Sequence, residues 1–221
     1  VMNKPCPRVI STHLYGSQFL PTQLVDPEGQ GRLIIVLRNL KDVMVSFHHF
    51  FGEPKDGWLG NEHGVGTLAR FLSTDVETCL PYGNYMEMIK SNDKVSTVLA
   101  STGRVLVLYY EAMKEDLGRE VDRMITFLGL RIPPAKRDAI LQHSTFEGMK
   151  KVMVEPERGE RIRNDIMRKG TIGDWRNHMD PDSWRRFDEV FDQILGDVDL
   201  AQPLKRYQAP DHDAGRSEKL S

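Results

Sequence analysis

"RLIIVLRNLKDVMVSFHHFF", residues 32–51, opens as an unbroken apolar run and changes character at Arg38-Asn39. Residues 32–37 carry Leu, Ile and Val in succession, the pattern of a strand covered on both faces. Beyond Asn39 the period becomes helical: Val43, Met44, Phe47, Phe50 and Phe51 recur at i, i+1, i+4, i+7 and i+8 and share one face. Asn39 is a natural N-cap, and Asp42 in the first turn suits the positive end of the helix dipole. A strand feeding directly into a helix is the repeating unit of an α/β sheet. The arginine at the junction would set a bidentate anion donor beside the unpaired N–H groups of a helix start. Ser46, with Asp42 and His49, falls on the side opposite the phenylalanines. Taken alone, the segment favours the plainer reading of a solvated strand-end charge and a neutral helical serine.

Outward from this unit the alternation continues. Residues 8–14 and 104–110, "RVISTHL" and "RVLVLYY", read as further strands. Residues 120–128 form a helical stripe of Val121, Met124, Ile125 and Leu128 that stops at Gly129, and Pro134 opens another helix to about residue 143. A long helix starts at Asp180-Pro181, turns Trp184, Phe187, Val190, Phe191, Ile194 and Leu195 inward, and ends at Gly196. Residues 52–66 and 150–175 are loop-like. The expected fold is α/β, an open, mainly parallel sheet flanked by helices, over residues 1–200, with a polar, disordered tail at 201–221. Ligands of such sheets bind beyond the carboxyl ends of the strands, where Ser11-Thr12-His13, Arg38-Asn39 and Tyr110-Glu111 would meet.

Composition removes several alternatives. The 221 residues, 39% hydrophobic, suffice for one core. A net charge of -2, from 30 basic and 32 acidic residues, gives no overall drive toward nucleic acid or acidic membranes, so any anion site must be local. Cys6 and Cys79 make neither a disulfide framework nor a thiol metal site and point to a reducing compartment. With no apolar run near the ~18 residues of a membrane span and no signal-peptide pattern, the expected location is cytoplasmic.

A second cluster sharpens the anion reading. "IMRKGTIGDWRN", residues 166–177, sets Arg168 and Lys169 beside Gly170, whose missing side chain lets backbone N–H groups approach an anion. Asp174-Trp175 would anchor the loop. R-K-G alone is a common surface turn; R-K-G-x-x-G-D-W is long enough to be specific.

These two stretches, with "STHL" at residues 11–14 and "VLVLYYEAMKEDLGREVDRMITFLGL" at 105–130, resemble the cytosolic sulfotransferase family, in order from about residue 7 to about 195. The resemblance implies a P-loop-NTPase-like sulfotransferase fold. It also implies transfer of a sulfuryl group from 3'-phosphoadenosine 5'-phosphosulfate (PAPS) to a hydroxyl or amine of a small-molecule acceptor, leaving adenosine 3',5'-bisphosphate. By position, His13 matches the family's catalytic base. Arg38 and Ser46 match the residues that hold the 3'-phosphate, and Arg168, Lys169 and Gly170 match the loop that closes on it. Tyr110, Ser144, Phe146 and Met149 match positions around the adenosine. A histidine with its ordinary pKa of ~6.5 is mostly neutral and basic near pH 7, as such a base must be. No metal is expected: the histidines are scattered and H-E-x-x-H does not occur.

Departures from the family pattern carry their own expectations. The family's P-K-S-G-T-T-W-like loop, which holds the 5'-phosphosulfate, has no counterpart among the 221 residues, and Gly29-Gln30-Gly31 precedes a strand instead of following one. The chain therefore reads as N-terminally truncated and inactive as it stands. The alternative is a non-catalytic module that binds an adenosine 3'-phosphate nucleotide or a protein. Ser11 stands where the family has lysine beside the base, and Asp180, Pro181 and Arg185 break the family's dimerisation pattern. The acceptor itself is not encoded in any motif.

Overall fold

A computed structural model describes residues 9–13, 20, 24, 26–51, 83–152 and 169–209. Two parallel strands, β1 (Leu33–Leu37) and β2 (Val105–Tyr109), pair in register from Leu33 opposite Val105 to Leu37 opposite Tyr109. Each strand runs into a helix: β1 into α1 (Leu40–Phe51), and β2 into the short α3 (Tyr110–Glu115). Between them lies α2 (Tyr85–Val98). After α3 come α4 (Leu117–Leu128), α5 (Pro134–Ser144), α6 (Phe146–Val152) and α7 (Pro181–Leu195). Short 3-10 turns cover Asp174–Asn177 and Asp199–Tyr207.

The helix boundaries follow local chemistry. Asn84 caps α2, its side-chain oxygen accepting from the amides of Met86 and Glu87. Asp116 caps α4, which ends at Gly129 in the left-handed conformation (φ 66). Asp180 caps α7 with Pro181 in its first turn.

The core lies on one face of the sheet. Ile35 and Leu37 of β1 pack with Leu40 and Met44 of α1, Met86 and Ile89 of α2, and Phe187, Phe191 and Leu195 of α7. On the other face Leu106 and Leu108 are buried against α4, whereas Val36 of β1 remains 55% exposed. The two-faced cover expected of β1 is therefore met for β2 and not for β1.

Two expectations need correction. Residues 9–13 form no strand: a strand exists only through a pairing neighbour, none is made there, and Val9 and Ile10 are exposed. The tail does not begin at 201: Asp199–Tyr207 coils as a 3-10 helix whose Leu200, Ala201 and Leu204 enter the core. On the side of α1 opposite the phenylalanines, Asp42 is 2% exposed because residues 173–175 cover it, while His49 is exposed. Residues 210–221, the loop at 52–66 and Arg168 lie outside the described residues.

α1 is tied to this C-terminal segment by a buried lysine. Lys41 Nζ is 2.7 Å from Asp188 and donates to the carbonyl of Gln208 at 2.8 Å, over the faces of Trp175, Trp184 and Phe187. Burial lowers the Lys41 pKa, and the Asp188 carboxylate opposes that shift. The aromatic faces supply part of the lost hydration.

Candidate functional site

Register alone brings the first two candidates together. Because Leu37 faces Tyr109, the next residues, Arg38 and Tyr110, leave the sheet side by side. The Arg38 guanidinium lies 4.5 Å from the centroid of the Tyr110 ring, a cation-π stack that orients the fork. Its Nε is buried and has no hydrogen-bond partner among the described residues. The Arg38 amide donates to the Tyr85 hydroxyl at 3.4 Å, and burial pushes that phenol up to about 12, so it stays neutral.

Asn39 ties together the junction beneath them. Asn39 is buried; its Oδ1 accepts from the Lys41 amide at 3.0 Å, as an N-cap should, and its carbonyl accepts from Val43 at 2.9 Å. Its own amide donates to Glu111 Oε1 at 2.8 Å and its Nδ2 to the carbonyl of Tyr207 at 2.8 Å. Glu111 is itself buried, with Oε2 unpartnered among the described residues. Burial pushes its carboxyl upward, against the Asn39 amide and the Arg38 charge. Ser46 is half-buried about two turns further along α1.

The glycine-bearing loop reaches the same helix. Asp42 accepts from the amides of Gly173 at 2.7 Å and Trp175 at 3.1 Å. Asp174 gathers Lys169 Nζ at 2.8 Å, Asn177 Nδ2 at 3.1 Å and His178 Nε2 at 3.2 Å. Gly170 has φ 66 and lies so close to Phe146 that a Cβ would overlap the ring. Thr145 sets that ring in place: its Oγ1 accepts from the Gly148 amide at 2.9 Å and its carbonyl from Met149 at 2.8 Å, capping α6 so that Phe146 is its first residue. The ammonium groups of Lys114 and Lys150 lie 5.7 and 5.9 Å from the same ring.

Of the expected residues, the structure thus pairs Arg38 with Tyr110 and Gly170 with Phe146, and engages Lys169 with Asp174. Ser144 closes α5 immediately before the Thr145 cap, and Met149 is 43% exposed on α6. His13 lies exposed in the irregular segment 9–13. Among the described residues no cluster of His, Cys, Asp or Glu could hold a metal ion, and no helix is long and apolar enough to cross a membrane. Sequence reasoning missed Asp42 and Tyr85 as parts of this site, and it placed Glu111 at the strand end without giving it a role. Only the acidic residue in the first turn of α1 carried a readable signal, and its partners are far away in sequence.

Comparison with known proteins gives one consistent result. The family described as "Sulfotransferase domain" matches residues 1–199. Sulfotransferase 1A1 of Mus musculus is 33% identical over 202 residues, covering 89% of this chain and 65% of that protein. Sulfotransferase 1E1 of Cavia porcellus is 33% identical over 195 residues, covering 86% and 62%. The chain therefore spans less than two thirds of the length of these relatives. Among solved structures, mouse sulfotransferase SULT7A1 complexed with PAP superimposes with a TM-score of 0.71 at 26% identity, over 87% of this chain and 68% of the other. Retinol dehydratase, in complex with androsterone and inactive cofactor PAP, shares the fold at a TM-score of 0.66 and 21% identity, over 86% and 53%.

Proposed function

This chain belongs to the sulfotransferase family, and we propose that the protein carrying it transfers a sulfuryl group from PAPS to a hydroxyl or amine of a small-molecule acceptor. The observation that carries the reading is the pairing of Arg38 and Tyr110 at the carboxyl ends of two parallel strands. That is where an α/β sheet binds its ligand.

The residues fit the nucleotide. Arg38 has a buried Nε to spare beside the start of α1, so a phosphate there would meet a guanidinium, a helix N-terminus and the Ser46 hydroxyl. Lys169, Gly170 and, beyond the described residues, Arg168 would close on the same phosphate. By the family match, Phe146 would offer a ring face to a base, and Ser144, Met149 and Tyr110 would stand around the adenosine. PAPS, when bound, supplies the activated sulfuryl group.

The chain's own contribution is positioning and proton transfer. An imidazole nitrogen of His13 would hold the proton of the acceptor hydroxyl as that oxygen becomes nucleophilic. Arg38 and Lys169 would balance the charge of the nucleotide. Acceptor choice would rest on loops such as residues 52–66.

The test uses the full-length protein, labelled PAPS and a simple phenol. Sulfate transfer is expected, and His13→Ala should abolish it while adenosine 3',5'-bisphosphate still binds. Transfer undiminished by that substitution would remove His13 from the chemistry, and binding without transfer in the wild type would favour a nucleotide-binding module instead.

A further inference from the structure

We propose that Asp42 is a positioning residue that fixes the gap between the two halves of the 3'-phosphate site, by bolting the loop of Lys169 and Gly170 to the helix that starts behind Arg38. The proposal rests on the nucleotide reading above and adds a residue to it.

Asp42 sits in the first turn of α1 and is 2% exposed, with Oδ2 2.7 Å from the amide of Gly173 and Oδ1 3.1 Å from that of Trp175. The loop needs such a partner. Positive φ at Gly170 (66) and Gly173 (80) takes its backbone out of regular structure, so its buried amides must find acceptors elsewhere. One carboxylate satisfies two of them with charge-assisted bonds, roughly twice as strong as neutral ones.

The loop has little slack on either side of this bolt. Trp175 is 1% exposed, its indole N–H donates to the carbonyl of Tyr207 at 3.2 Å, and its ring lies 4.3 Å from Lys41 Nζ. Gly170 is pressed on Phe146. A shift at Gly173 cannot be absorbed beyond Trp175 and passes back to Gly170 and Lys169. Asp42 therefore sets where the loop's cation and amides stand relative to Arg38, without touching the ligand.

The experiment compares the affinity of the full chain for adenosine 3',5'-bisphosphate and for adenosine 5'-monophosphate by titration calorimetry. Asn at residue 42 keeps the shape but turns an NH2 toward one of two N–H donors. Asp42→Asn is expected to weaken bisphosphate binding about tenfold, the cost of one charge-assisted bond, while monophosphate affinity is unchanged. A purely structural role would lower both together. If circular dichroism shows Asp42→Asn unfolded, Gly173→Ala decides: it strains the loop at φ 80 and leaves Asp42 in place, and the same selective loss is expected. Preference for the bisphosphate kept in full by the folded variants overturns the positioning role alone. No preference in the wild-type chain overturns the nucleotide reading, and this proposal with it.

Discussion

The backbone of Gly170 lies directly against the ring of Phe146, at a φ of 66 and with no room for a Cβ. Two independent constraints therefore demand glycine, one conformational and one steric. Gly170→Ala would strain the left-handed backbone by about 1–2 kcal/mol and push the loop off the ring that would stack on the adenine. The fold should survive, since Gly170 is in irregular backbone outside the core. Affinity for adenosine 3',5'-bisphosphate should fall about tenfold by calorimetry; a variant that binds as tightly as wild type would detach this contact from the nucleotide site.

Arg38 is held by the Tyr110 ring at 4.5 Å with its Nε unpartnered. A guanidinium so oriented contributes two parallel bonds to a phosphate, which lysine cannot reproduce. Both Arg38→Ala and Arg38→Lys should therefore weaken the bisphosphate, the first by about 10- to 100-fold. Tyr110→Leu should produce a smaller loss through the disordered fork. Equal affinity in Arg38→Ala would exclude the strand-end junction as the phosphate site.

What could be read in the sequence was local. The strand-to-helix switch at Arg38, the Asn39 cap and the Asp180-Pro181 start each depend on a few adjacent residues, and each appears where expected. What could not be read was decided at long range. Residues 8–14 have strand composition, but residues 9–13 make no pairing. Residues 201–207 have a polar composition, yet Ala201 and Leu204 find the core of residues far upstream. The candidate site divides in the same way: Arg38 and Gly170 belong to motifs, whereas Asp42 is bonded to amides 131 and 133 positions away.

Lys41 illustrates the same point for stability. Its ammonium is buried among three aromatic rings and bonded to Asp188 and Gln208. Lys41→Ala would leave a cavity under Trp175 and remove the partner of Asp188, which is still 36% exposed and so partly solvated. The expected loss is about 3 kcal/mol, or a Tm lower by about 6–12 °C for a domain of this size. A change under about 1 kcal/mol would mean that the pair's desolvation already cancels its attraction.

Glu111 makes stability depend on pH in a predictable direction. Burial raises its carboxyl above the ordinary 4.5, although the Asn39 amide and the Arg38 charge pull the other way. The folded state then binds this proton more tightly than the unfolded chain does. Its stabilising contribution is complete below about pH 4.5 and fades as pH rises through the folded value. Above that the site carries a buried carboxylate with Oε2 unpartnered. Glu111→Gln keeps an acceptor for the Asn39 amide and removes the titration. In urea unfolding between about pH 4 and 8, stability of Glu111→Gln relative to wild type should rise with pH. Other shifted groups such as Asp188, whose carboxyl burial also raises, are common to both proteins and cancel. A relative stability that falls with pH would show that attraction to Arg38 outweighs the cost of burial, and would make Glu111 the counterion that holds the guanidinium in place.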